Sequence, residues 1–213
     1  NLRYSPVSRE AALLMVFYIS AGLSTLILLT EFIFNTTIVP PVIYDVVVVT
    51  AILGGIAALY FMHRIYRIRA RPFWNHWQVM TDFYGTMLML GGLVAGFILL
   101  LGMPNGHSAI RDIEHLMVLF IGFGGVMKLI GVWFHAHAMK NAHNEGAVSY
   151  KIQMSKFNYL YWLRIVALLA GMLLAAISAL IPLSGLETDL LWISVLVLIL
   201  GSELIGRALF YVL

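Results

Sequence analysis

The sequence contains no cysteine. That excludes structural disulfides, thiolate metal sites and any iron–sulfur cluster ligated by this chain itself. Charge is scarce too. Only 11% of the 213 residues are Asp, Glu, Lys or Arg, whereas a soluble domain carries roughly 25%. There are too few charges to cover a water-facing surface. The opening residues carry no signal-peptide pattern, and the first residue is Asn1 rather than Met. The chain therefore reads as beginning mid-protein, with spans upstream. No low-complexity segment and no soluble domain is visible, since no connection between apolar runs is longer than about 20 residues.

What is present is apolar. Hydrophobic residues make up 62% of the chain, and mean hydropathy is +0.93. Six runs reach the roughly 20 residues that a helix needs to cross the hydrocarbon core. They lie near 11–34, 40–62, 80–101, 115–138, 159–181 and 189–212. Each run is continuously apolar rather than alternating, which favours helices over a barrel. The expected fold is an all-α, polytopic transmembrane helix bundle, with 1–213 forming a single transmembrane domain. Turn residues punctuate the runs: Asn35, Thr36, Thr37, Pro40 and Pro41, then Gly102, Pro104, Asn105 and Gly106, then Pro182, Ser184 and Gly185. Ser5 before Pro6 reads as an N-cap with proline at the first helical position.

The charges are unevenly placed. One side of the expected bundle carries Arg3, Arg9, Arg64, Arg67, Arg69, Arg71, Lys140, Lys151 and Lys156; the other carries Arg111 with Asp112, Glu114, Glu187 and Asp189. The positive-inside rule makes the basic side cytoplasmic. A docking face for an acidic partner gives the same asymmetry. The loop with Arg64, Arg67, Arg69 and Arg71 beside Trp74 and Trp77 suits docking, because arginines mixed with large aromatics compose interface hot spots.

A charge inside a span costs roughly 2.5–3.5 kcal/mol on insertion scales, so each one needs an account. Glu203 and Arg207 stand four apart in the order that favours a helical ion pair. Lys128 lies mid-span, with Glu31, Asp45 and Glu203 as possible partners. The reading for Lys128, Glu203 and Arg207 is structural pairing, with a proton path as the alternative. Arg164 opens the fifth span and reads either as a lipid-headgroup anchor or as a quinone-site donor. Glu10 and Asp82 both open helices, where the helix dipole favours an acid; each could also accept a proton near the membrane surface. The segments that follow them echo one another weakly. His63, His135 and His137 sit toward the basic ends of spans, so a bis-histidine haem b is conceivable, and His143 with the last two could form a metal site.

Several segments, in order along the chain, resemble one family: the membrane anchor subunits of dimethyl sulfoxide reductase and related molybdoenzymes. Ser5, Ser8 and Glu10 meet its Ser-x-x-Ser-x-Glu pattern at the start of the third helix. Arg64, Tyr66, Pro72, Trp74 and Trp77, then Phe83, Thr86, Gly91 and Gly92, are similar to its fourth loop and fifth helix. Tyr161 to Arg164 resembles the start of the seventh helix, and Glu203, Arg207, Phe210 and Tyr211 resemble the last.

The resemblance implies a full anchor of eight helices, of which this chain is similar to three to eight. It implies a non-catalytic subunit of a quinone-dependent oxidoreductase complex in a prokaryotic cytoplasmic membrane. Such an anchor holds a ferredoxin-like subunit with [4Fe-4S] clusters, which serves a molybdopterin catalytic subunit. It binds a quinol, usually menaquinol, and carries no haem. Glu10 matches the family's quinol-site glutamate. Beside that resemblance, Ser8 of the same motif is read as a quinone contact, and Arg164 or an arginine of the 64–71 loop as the group that orients the quinol head. In the familiar bacterial enzymes the catalytic subunits face the periplasm on the glutamate side, whereas here that side is the basic one, so orientation stays open. The rival readings are a haem b cytochrome subunit and a proton-translocating or transporter subunit.

Overall fold

A computed structural model describes residues 5–34, 36–37, 39–67, 70–102, 109–181 and 186–212. Arg3 and Arg69 lie outside the described residues, as do the turn residues Asn35, Pro104, Asn105, Gly106, Pro182, Ser184 and Gly185. The described residues form seven helices: α1 (Pro6–Phe34), α2 (Pro41–Tyr66), α3 (Gln78–Gly102), α4 (Ala109–Lys140), α5 (Glu145–Lys156), α6 (Asn158–Leu180) and α7 (Leu186–Val212). All but α5 are long and apolar enough to cross a membrane. The fold is the all-α polytopic bundle that the apolar runs imply. In hydrocarbon every backbone N–H and C=O must be paired internally, and a continuous helix does this residue by residue.

All the spanning helices but α2 start earlier than their apolar runs: α4 begins at Ala109 and includes Asp112 and Glu114, which precede the run near 115–138. Composition marks only the lipid-facing stretch, and a helix continues through polar flanks. At the start of α1 the amide of Ser8 donates to Ser5 Oγ at 3.2 Å, with Pro6 as the first helical residue. That is the expected cap. Pro40, at φ −54° and ψ 136°, ends the preceding loop, and Pro41 opens α2.

The helix α5 lies in what composition alone makes a plain connection. Asn144 caps it by accepting from the Gly146 amide at 2.9 Å. It is short, at 12 residues. It packs beside α4 and α6.

The chain divides into two compact units, Asn1–Ile68 and Arg69–Leu213. The first is a hairpin of α1 and α2. Its seam is made by small residues: the site of a Cβ on Gly54 lies 3.3 Å from the Phe17 amide nitrogen, and that on Gly55 lies 3.1 Å from the Phe17 ring. Most other side chains of α1 and α2 face outward, among them Tyr18, Ile19, Val42 and Leu53. Exposed apolar surface of that extent belongs in lipid or against protein, not in water.

The second unit is a four-helix bundle in which α3 packs on α4, α4 on α6, α6 on α7, and α7 on α3. Its centre is dry. Met89, Leu93, Met117, Ile121, Ala175, Trp192, Val195 and Ile199 are all buried there. Between membrane helices the hydrophobic effect gives little attraction, so close backbone approach matters more. Gly85 and Gly124 supply it. A Cβ on Gly124 would stand 2.7 Å from the Gly85 carbonyl oxygen, and one on Gly85 would stand 2.8 Å from that of Gly124.

This contact predicts that Gly124→Ala lowers bundle stability by about 1–3 kcal/mol, because a backbone oxygen cannot move aside. Gly91→Ala, which meets nothing within 4 Å, should be neutral or slightly stabilising. Denaturation of the purified protein, followed by circular dichroism, checks the pair. Equal midpoints for the two variants would contradict the role given to the glycine seam.

Candidate functional site

Lys128 is 7% exposed and belongs to the second unit. Its ammonium lies 2.8 Å from Asp82 Oδ1 and 2.7 Å from Glu203 Oε1. It also donates to Glu203 Oε2 at 2.7 Å and to the Thr86 hydroxyl at 2.9 Å. Thr86 Oγ1 in turn sits 2.6 Å from Glu203 Oε2. Three helices thus meet at one ammonium: α3 through Asp82 and Thr86, α4 through Lys128, and α7 through Glu203. Glu203 is the partner found among the three that composition offered. Glu31 instead receives the Val39 amide on its Oε1 at 3.4 Å, and Asp45 is exposed at the start of α2.

Two expectations need correction. Glu203 and Arg207 do not form the ion pair that their spacing favours. Lys128 takes the Glu203 carboxylate, and Arg207 lies over the Phe83 ring at 4.3 Å. Asp82 is not a first-turn acid held by the helix dipole. It is the fifth residue of α3 and pairs with Lys128. Spacing along one helix reports the nearest candidate, whereas a bundle offers closer partners from other helices.

Next to this cluster, near the start of α3 and the end of α7, lies a cleft. Its polar lining is Gln78, Asp82, His135, Gln153, Arg164 and Arg207, and its apolar walls include Phe73, Phe83 and Phe210. His135 is buried and donates from Nε2 to the Phe73 carbonyl at 2.9 Å, its ring edge-on to that of Phe73. A carbonyl cannot donate, so this bond fixes the proton on Nε2. Gln153, on α5, is buried beside it. Arg164 is half-buried with its guanidinium over the Tyr161 ring at 5.2 Å, and its carbonyl accepts from Ser202 at 2.8 Å. Sequence reasoning did not single out Gln153 as a cleft residue, because nothing in composition marks α5 as packed on the bundle.

The first unit holds Ser8 and Glu10. The Ser8 hydroxyl donates to the Ser5 carbonyl at 3.0 Å. Glu10 is half-buried, and its carboxylate makes no ion pair with a described residue. Arg9 beside it stacks over Phe61 at 5.7 Å.

The expected docking residues divide. Arg64 is exposed and donates to the Tyr60 hydroxyl at 3.3 Å, and Arg67 is exposed just past α2. Arg71 is exposed over the Trp74 ring at 4.9 Å. Trp74 is committed within the chain: its indole N–H donates to the Phe210 carbonyl at 3.1 Å, and its ring stacks on Phe210. Trp77 is 38% exposed. His137 faces away from His135 and contacts Asn141 at 3.3 Å. Among the described residues no group of three His, Asp or Glu is placed to hold a metal ion.

Residues 2–213 match the family model of the DMSO reductase anchor subunit (DmsC). The match spans nearly the whole chain, so the chain belongs to that family. No curated protein and no solved structure matches it significantly.

The ion cluster has a direct test. Lys128→Met strands the buried Glu203 carboxylate and the partly exposed Asp82 carboxylate, and removing one partner of a buried pair costs roughly 3–5 kcal/mol. The variant should accumulate poorly in membranes and denature earlier. Adding Asp82→Asn and Glu203→Gln removes both stranded charges and should recover most of the loss. Wild-type stability in Lys128→Met alone would show that the cluster does not hold the helices.

Proposed function

Taking membership of the DMSO reductase anchor subunit family as the premise, we propose that this integral membrane chain is the quinol-binding subunit of its complex. It sits in a prokaryotic cytoplasmic membrane. Its partners are a ferredoxin-like subunit with [4Fe-4S] clusters and a molybdopterin subunit that carries the substrate chemistry. The quinone pool, menaquinone by resemblance, exchanges electrons with the nearest cluster.

One observation carries the reading: Glu10 is a half-buried carboxylate, unpaired among the described residues, at the position that resembles the family's quinol-site glutamate. A quinol releases two electrons and two protons. The electrons leave to the partner's cluster, and the protons need an acceptor within an apolar site. Glu10, four residues after the first residue of α1, stands near the end of a span, where a proton can pass on to water. Ser8 lies two residues earlier on α1, and its hydroxyl donates to the Ser5 carbonyl at 3.0 Å. Arg64 and Arg67 of the first unit are exposed, as is Arg71 of the second, and an exposed arginine suits contact with an acidic partner.

A proton-translocating role draws on the Lys128 cluster, but the second unit gives it little support. Fourteen helical residues, about 21 Å, separate Lys128 from Glu114. Glu114 lies near the start of α4, where the Trp192 indole N–H donates to it at 3.4 Å. The layer between is filled by buried Met117, Ile121, Val195, Ile199, Met89 and Leu93. Among the described residues no ionisable side chain belongs to that buried cluster.

Glu10→Gln keeps the size of the side chain and removes its basicity. Quinol-linked turnover of the complex should fall at least about 100-fold, the lower range for losing a general base. Turnover with a soluble dye that feeds the partner subunits directly should persist. Full quinol-linked turnover in the variant would reject the role of Glu10.

A further inference from the structure

The cleft of the second unit carries an excess of positive charge that nothing within the described chain neutralises. Five charged groups meet there: Asp82 and Glu203 against Lys128, Arg164 and Arg207. Both carboxylates are committed to Lys128. Arg164 and Arg207 act on Asp82 through space, yet neither forms an ion pair with a described residue. Neither guanidinium donates a hydrogen bond to one. Each lies on an aromatic face, Tyr161 for Arg164 and Phe83 for Arg207. Those contacts hold each guanidinium against an aromatic ring. Two half-buried cations with unused donors, inside a protein that avoids charge, call for an anion.

Position and shape say which anion. The cleft lies among the start of α3, the end of α4, the first two turns of α6 and the last turns of α7. This is the basic end of the unit, ringed by exposed Arg71, Lys140, Lys151 and Lys156. Trp77, Tyr159 and Trp162 are exposed near the same end, the side chains that settle at headgroup depth. Phe73, Phe83 and Phe210 give the cleft apolar walls. Gly206 lines it without a side chain, and the site of its missing Cβ is 3.5 Å from Arg164 Nη1. Basic pockets between membrane helices are where anionic headgroups bind.

We propose that Arg164 and Arg207 hold the phosphate of an anionic phospholipid seated in this cleft. The guanidiniums give charge-assisted donors to the phosphate oxygens. The buried Gln153 side chain lines the same cleft as a further polar contact. The Lys128 cluster sets the specificity indirectly. By consuming Asp82 and Glu203 it keeps both arginines available for an external anion.

The test uses the protein with the subunits that accompany it from native membranes. It is exchanged into detergent with phosphatidylglycerol or phosphatidylcholine added, and bound lipid is counted by native mass spectrometry. Each arginine near an anionic headgroup contributes a factor of about 5 in affinity. Wild type should therefore retain phosphatidylglycerol over phosphatidylcholine by about 25-fold, since a choline cation cancels the headgroup charge. Arg207→Gln should cut the preference about 5-fold, and Arg164→Gln with Arg207→Gln should abolish it. Arg207→Lys, which keeps the charge, should retain most of it and controls for folding. No preference in wild type would overturn the proposal, as would an unchanged preference in Arg207→Gln. Quinone in place of phospholipid, lost in step with the arginine substitutions, would overturn it too.

Discussion

A lone ammonium in a hydrocarbon-embedded bundle must be met by opposite charge, and that demand organises the second unit. Lys128 reaches from α4 and is met by Asp82 of α3 and Glu203 of α7. Desolvating an ammonium without a partner costs several kcal/mol even after relaxation. The three helices are therefore held in one register, since a slip of a single residue would turn a charged group toward lipid. The glycine seam makes the arrangement possible. The Lys128 stem passes across Gly85, where a Cβ would collide with its Cγ. Any larger residue at position 85 would displace the ammonium that the carboxylates require.

The same cluster divides the unit along its length. Toward the basic end lie Arg164, Arg207, the cleft and the aromatic residues around Trp74 and Phe210. Toward the other end lies a packed layer of Met, Leu, Ile and Val. The first unit repeats one element of the plan. Glu10 is the fifth residue of α1 as Asp82 is the fifth of α3. One carboxylate is neutralised by a lysine, and the other makes no ion pair with a described residue.

Much of this was legible from the residues. Continuous apolar runs located the six spans, because a lipid environment permits few other backbones. Short motifs around Ser5 to Glu10 and Glu203 to Tyr211 pointed to the family to which the chain belongs. The site was less legible, for identifiable reasons. Lys128 had to face the bundle, and Glu203 was among its candidate partners, but Asp82 read as a helix-start acid until α3 and α4 were placed together. Arg207 read as the partner of Glu203 because local spacing is visible and long-range packing is not. Trp74 read as a docking residue, yet its indole closes the end of α7. Aromatics beside arginines have the same composition whether they await a partner or brace their own chain. The helix α5 escaped notice because it has no apolar run.

The central claim is that the chain anchors a quinol-linked oxidoreductase, and subunit composition tests it most directly. The protein should be purified from native membranes in mild detergent, and its companions identified together with bound iron and molybdenum. The account predicts stoichiometric recovery of a ferredoxin-like subunit rich in iron and a molybdopterin subunit. Recovery of this polypeptide alone, without iron or molybdenum, would contradict it.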